Sequence, residues 1–103
     1  MKSISQPKNR SALYKTLLAL EHHAKHLKEI VSYVTAFALA GNYDARSSRG
    51  GANSWELIHP DGRVFILRAR RDHISVTHNM GHGHRQGWKW NTRLDVKNWF
   101  ETI

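Results

Sequence analysis

Residues 55–77 read WELIHPDGRVFILRARRDHISVT, and this segment carries the strongest β-sheet signal in the chain. Short apolar runs lie between polar turn segments, and residues 73–77 alternate between polar and apolar side chains, which indicates β-strands. The Pro-Asp-Gly sequence at 60–62 is a strong turn signal, and the polar Arg-Arg-Asp sequence at 70–72 reverses the chain again. The pattern therefore predicts a three-stranded antiparallel meander, with strands over 55–58, 63–69 and 73–77.

The chain before this meander carries a helical pattern. Apolar side chains recur alternately four and three positions apart, which is heptad spacing, at Leu13, Leu17, Leu20, Ala24, Leu27, Val31, Val34 and Ala38. One helix over 11–40 would be ~45 Å long, whereas a domain of this size is about 30 Å across. We therefore expect the helix either to break near 21–23 and pack on the sheet, or to form a homodimer through residues 13–38. Ile30 and Phe37 widen the apolar face and favour packing on the sheet.

A short helix is predicted at the C-terminal end. Thr92 and Asp95 match a capping box, and the residues that follow at helical spacing are apolar, namely Val96, Trp99, Phe100 and Ile103. Glycine-rich residues 41–53 and 79–87 predict loops, and 88–90 suits a brief further strand. The predicted fold class is α+β: one small domain over 11–103 with the order α-β-β-β-α, preceded by a flexible basic arm over 1–10.

Composition sets the class of partner. The chain has 103 residues, a net charge of +8 and no cysteine, which excludes disulfides and thiolate metal sites. The positive charge is spread along the chain, and a basic surface favours polyanions. The sequence shows neither a long apolar run nor the apolar stretch of a secretory signal, so we expect a cytoplasmic protein without a membrane partner.

The segment from Arg68 to Arg93 concentrates cations, glycines and two tryptophans. Because buried unpaired arginine is rare, most of these cations are expected on the surface, where they can contact phosphate. Tryptophan can stack on bases but more often lies in a core. We predict a non-enzymatic nucleic-acid-binding protein without a cofactor, DNA or RNA being left open. The candidate binding residues are Arg46, Arg49, Arg68, Arg70, Arg71, Arg85, Trp88, Lys89 and Arg93.

The eight histidines raise the question of a metal site. His78, His82 and His84 are close in sequence, and His22 and His26 are four apart, which would place them on one helix face. A zinc site needs three or four ligands with supporting hydrogen bonds, and no carboxylate lies within 78–84. We therefore predict solvent-facing or phosphate-contacting histidines and no metal site.

Two alternatives remain. Asp72-His73-Ile74 resembles the Asp-His-Ile opening of HNH (ββα-metal) nucleases, a resemblance that implies His73 as the base and Asn91 and Asn98 near a metal. No proline follows the tripeptide, and the last helix carries an apolar stripe instead of a metal-facing histidine. The other alternative rests on small size and absence of motifs: a protein-binding regulator or inhibitor of phage or mobile-element type, anti-defence or anti-CRISPR-like, that acts on a host protein or nucleoprotein.

Overall fold

The computed structural model describes residues 10–48 and 53–103, in which helices cover one face of an antiparallel sheet. The helices are α1 (Arg10–His23), α2 (Lys28–Ala40) and α3 (Arg93–Thr102), with a 3₁₀ turn at Lys25–Leu27. The strands are β1 (Asp44–Ser47), β2 (Ser54–Ile58), β3 (Val64–Ala69), β4 (Ile74–Gly81) and β5 (His84–Trp90), adjacent in chain order. The α+β class is confirmed, whereas the predicted three strands were wrong, because the sheet has five.

The first missed strand is β1, which lies in the segment predicted as a loop over 41–53. It is a short, mostly polar edge strand in which only Ala45 is buried, so its sequence lacks a clear apolar alternation. Residues 49–52 of that segment lie outside the described residues. The predicted arm over 1–10 does too, apart from Arg10, which begins α1.

Strand β5 was predicted only in part, as a brief strand over 88–90, because it begins at His84, inside the segment predicted as a loop over 79–87. Strand β4 continues to Gly81, and a two-residue turn at His82 and Gly83 leads into β5. Gly81, His82 and Gly83 have φ angles of 84°, 51° and 78°, in the left-handed region that tight hairpin turns require. The glycines that suggested a loop therefore belong to a hairpin.

The predicted helix break is present. Helix α1 ends at His23, the last residue of the predicted range 21–23, and Ala24 leaves the helical region with φ −125° and ψ 65°. All eight residues of the predicted heptad seam are buried in the core. The seam therefore packs within the protein, and a homodimer through that seam of residues 13–38 would have to open the core.

The two faces of the sheet differ in what covers them. The helix-facing side supplies the sheet part of the core, including Trp55, Leu57, Phe65, Leu67, Ile74, Val76 and Trp90. Strand alternation and register put the other set of side chains on the opposite side. Within the described residues no helix covers that side, which we call the open face. Its residues include Arg46, Glu56, Ile58, Val64, Ile66, Arg68, Ser75, Thr77, Arg85, Gly87 and Lys89.

The predicted boundary signals are confirmed. The Thr92 hydroxyl accepts a hydrogen bond from the Asp95 amide, and the Asp95 carboxylate accepts one from the Thr92 amide, which completes the capping box of α3. The turn at 60–62 joins β2 to β3, with Gly62 at φ 100°. None of the helices described is long and apolar enough to span a bilayer.

Candidate nucleic-acid interface

A groove of about 540 Å³ runs along one end of the sheet. It is lined by the β3–β4 turn, residues 70–73, and by residues of β4 and β5 that include Ser75, Thr77, Gly87 and Lys89. The register explains this assembly, because Ser75 pairs with Lys89 and Thr77 pairs with Gly87, which brings the polar side chains of both strands to the same part of the open face. We call this feature the basic groove.

Among the described residues, three cations line the basic groove: Arg70, Arg71 and Lys89. All three are exposed, and none forms an ion pair within the described parts of the chain. Arg68 lies on the same face, directly across from Ser75 in the β3–β4 pairing. An unpaired guanidinium or ammonium group on a surface remains available for an anionic ligand.

The basic groove contains one carboxylate, that of Asp72. Its Oδ1 lies 2.7 Å from Nδ1 of the neighbouring His73, and Asp72 is largely exposed while His73 is mostly covered. The hydrogen bond from His73 lowers the pKa of Asp72, and the charge of Lys89 lowers it further. Asp72 is thus engaged by His73, and the groove keeps an excess of positive charge.

Three other predicted cations in the described part of the chain, Arg46, Arg85 and Arg93, lie outside the basic groove. Arg46 occupies the opposite edge strand, where its Nε is 2.6 Å from Glu56 Oε1. Arg85 is exposed near the start of β5, on the open face. Arg93 begins α3 and donates from Nη1 to the Tyr33 hydroxyl at 2.8 Å, in the helix layer. Arg49 lies outside the described residues.

The tryptophans lie on the other side of the sheet. Trp88 alternates with Gly87 and Lys89 and packs under the sheet, with its ring centroid 5.9 Å from that of Phe65 and 5.8 Å from that of Trp99. Trp90 is fully buried. These rings, with Phe100, form an aromatic cluster between α3 and the sheet. Trp88 is also among the residues that line the basic groove, but its ring packs against Phe65 and Trp99 on the helix side, so neither Trp88 nor Trp90 gives the open face a stacking platform.

The histidines are dispersed. His78 Nδ1 lies 3.1 Å from the Val64 carbonyl oxygen, while His82 and His84 lie at the β4–β5 hairpin. The helix break separates His22 in α1 from His26 in the 3₁₀ turn, so the shared helix face predicted for them was wrong. Across 10–48 and 53–103, no three histidine, aspartate or glutamate side chains are grouped to hold a metal.

The nuclease resemblance implies roles for His73, Asn91 and Asn98. The structure places the first two near Asp72. His73 contacts Asp72, and Asn91 Nδ2 lies 3.5 Å from the Asp72 carbonyl oxygen. Asn98 is on α3, where it lines a separate groove with Asp95 and Thr102. The metal-facing helix that the resemblance implies is instead a helix that buries Val96 and Trp99 in the core.

Ser75, Thr77 and Gly87 were not among the site residues predicted from the sequence. The alternation of residues 73–77 already put His73, Ser75 and Thr77 on one face. Only residues 88–90 of β5 were predicted as a strand, so the pairing of β5 with β4, which completes that face, was unknown.

Comparison of the chain with protein-family models, with curated proteins and with solved structures finds no match. The basic groove and the open face are therefore the features that indicate a function.

Proposed function

We propose that this protein is a non-enzymatic nucleic-acid-binding protein that contacts the phosphate backbone through the basic groove. The observation that carries the proposal is the convergence of Arg70, Arg71 and Lys89, all exposed and outside any described ion pair, on one groove of an uncovered sheet face. Arg68 extends the same positive surface. Phosphate oxygens match the planar donor fork of arginine and the point charge of lysine.

Gly87 supports a ligand-binding role for the groove. A Cβ atom built on Gly87 would meet only the Val76 carbonyl oxygen, at 3.6 Å, which is ordinary contact distance. Its φ is also outside the left-handed region, so neither packing nor backbone conformation requires glycine there. The missing side chain leaves space between Thr77 and the sheet edge, where a sugar-phosphate chain would pass between the flanking cations.

Salt-dependent binding tests this proposal. We expect labelled duplex DNA, single-stranded DNA or RNA to raise its fluorescence anisotropy on addition of the protein, with a dissociation constant that weakens steeply from low to physiological salt. Each neutralised phosphate releases counterions, so log K should fall by about 0.9 per contact against log salt on duplex DNA. Flat traces with all three ligands at low salt would exclude the proposed function.

A second candidate is a protein-binding regulator that uses the open face against an acidic protein surface. The aliphatic side chains of Ile58, Val64 and Ile66 give part of this face an apolar character next to the cations. A surface that combines aliphatic and cationic groups suits a protein partner as well as a polyanion. This candidate would be favoured if the protein captures an acidic protein stoichiometrically and the nucleic-acid traces stay flat. Charge reversal at Arg70 and Arg71 should then abolish the capture.

A further inference from the structure

We propose that the ligand of the basic groove is double-stranded DNA and that the β4–β5 hairpin enters its major groove. This inference rests on the proposed function and adds the class of nucleic acid and the mode of docking. Three features of the structure carry it: the exposed hairpin, the placement of Arg85, and the absence of aromatic side chains from the open face.

The hairpin is a two-stranded ribbon. The last register pair of β4 with β3 is His78 with Phe65, beyond which β4 pairs with β5 alone. Residues 79–87 form nine consecutive exposed positions, on both faces of the ribbon. We call residues 79–86 the β4–β5 ribbon. Its tight turn at His82 and Gly83 keeps the tip narrow.

The dimensions of the ribbon fit one type of groove. Paired strands lie about 4.8 Å apart, and the major groove of B-form DNA, about 12 Å wide, admits a two-stranded ribbon. The major groove of A-form RNA is too deep and narrow for side chains to read. A ribbon of this kind therefore selects duplex DNA over duplex RNA.

Arg85 is the side chain placed to read bases. It lies on the open face of the ribbon, is exposed, and forms no ion pair within the described residues. Its cross-strand partner Asn79 accepts a hydrogen bond from the Gly81 amide at 3.1 Å and so supports the turn. Arginine pairs with the O6 and N7 acceptors of guanine, both of which face the major groove.

The ribbon and the basic groove form one surface. Arg85 and Lys89 lie four residues apart on the same face of β5, roughly 14 Å at 3.4 Å per residue. That separation is comparable to the width of the major groove, about 12 Å. With Arg85 at the bases, Lys89, Arg70 and Arg71 would meet the flanking phosphate backbone.

The composition of the open face argues against single strands. Non-specific single-strand binding relies on aromatic side chains that stack on bases. The open-face positions of the described strands hold no phenylalanine, tyrosine or tryptophan, and Trp88 and Trp90 belong to the opposite side. A surface of this composition offers phosphate contacts and hydrogen bonds to base edges, which a duplex supplies.

The first arm of the test compares three ligands of one mixed sequence: duplex DNA, duplex RNA and single-stranded DNA. We expect duplex DNA to bind at least about tenfold more tightly than either of the others at the same salt, which is 1.4 kcal/mol. Equal or tighter binding of duplex RNA or single-stranded DNA would overturn this inference and leave the proposed function standing. If none of the three ligands binds, both this inference and the proposed function are excluded.

The second arm tests whether the protein contacts base edges in the major groove. In a duplex with 7-deazapurines, the N7 acceptors are replaced by carbon, and we expect the protein to bind about fivefold or more weakly than to the normal duplex. Arg85→Ala should bind both duplexes alike, whereas Arg93→Ala, which removes an arginine from the helix layer, should keep the difference. Equal binding of the two duplexes by the unsubstituted protein would contradict docking in the major groove.

Discussion

Replacement of Arg70 and Arg71 together by alanine is expected to weaken duplex DNA binding by at least about tenfold at low salt. Both side chains line the basic groove, and neither forms an ion pair within the described residues, so their loss removes phosphate contacts without leaving an internal partner unpaired. The slope of log K against log salt should become shallower by about 1.8, because two phosphates are no longer neutralised. Anisotropy titrations over a range of salt concentrations measure both quantities.

Arg93→Ala is the matched control for this double variant. It removes an exposed arginine that sequence analysis placed in the same binding set, but the structure locates it at the start of α3, against Tyr33. We expect its binding and its salt slope to stay close to those of the unsubstituted protein. If Arg93→Ala, which removes one charge, lowers the salt slope by about 0.9, half the loss in the double variant, then net charge rather than the groove determines affinity, and the assignment of the site fails.

Trp99→Ala is expected to lower the free energy of unfolding by about 3–5 kcal/mol, a large share of the roughly 5–15 kcal/mol of a typical domain. Trp99 is 3% exposed, and its ring lies nearly perpendicular to those of Phe65, Trp88 and Trp90. Alanine would leave a cavity in the middle of the aromatic cluster that joins α3 to the sheet. Urea unfolding followed by circular dichroism measures the loss.

Two further substitutions on α3 isolate the cause of this loss. Trp99→Phe keeps an aromatic ring and removes an indole Nε1 that is buried without a hydrogen-bond acceptor among the described residues, so it should cost clearly less than Trp99→Ala. Leu94→Ala alters a side chain that is 58% exposed and should change stability by no more than about 0.5 kcal/mol. Equal losses for Leu94→Ala and Trp99→Ala would contradict the placement of the aromatic cluster in the core.

Much of the architecture was predictable because the relevant signals are local. The heptad seam from Leu13 to Ala38 is buried throughout, and the helix break falls within one residue of the predicted range. The capping box at Thr92 depends on four consecutive residues and is present as predicted. Strands β2 and β3 were recognised because short runs rich in apolar residues flank the strong turn at 60–62 that joins them.

Strand β1 and the first part of β5, which were not predicted, lack local sequence signals of a strand. Strand β1 buries one residue, Ala45, so its alternation is too short to recognise. Strand β5 begins in an exposed stretch whose glycines are equally typical of a loop, and only its pairing with β4 defines it as a strand. Tertiary pairing determines both, and a single sequence does not reveal such pairing.

The same difference in signal explains the candidate site. Arg68, Arg70, Arg71 and Lys89 were predicted from charge, and the structure brings them to one end of the open face. Trp88 lies on the helix side because the register of β5 with β4 places it on that face. Arg93 lies in the helix layer because α3 packs against α2. The cationic composition therefore indicated a basic surface, while strand register determined which of the cations lie on it together.

The most direct test of the basic groove as the binding surface is a titration of the isotope-labelled protein with duplex DNA, followed by nitrogen–proton correlation spectra. We expect the largest shifts on the amides of residues 68–77 and 85–89, with those of α1 and α2 nearly unchanged. Saturable binding with its largest shifts on α1, α2 or β1, and none along the β3–β4 turn, would contradict it.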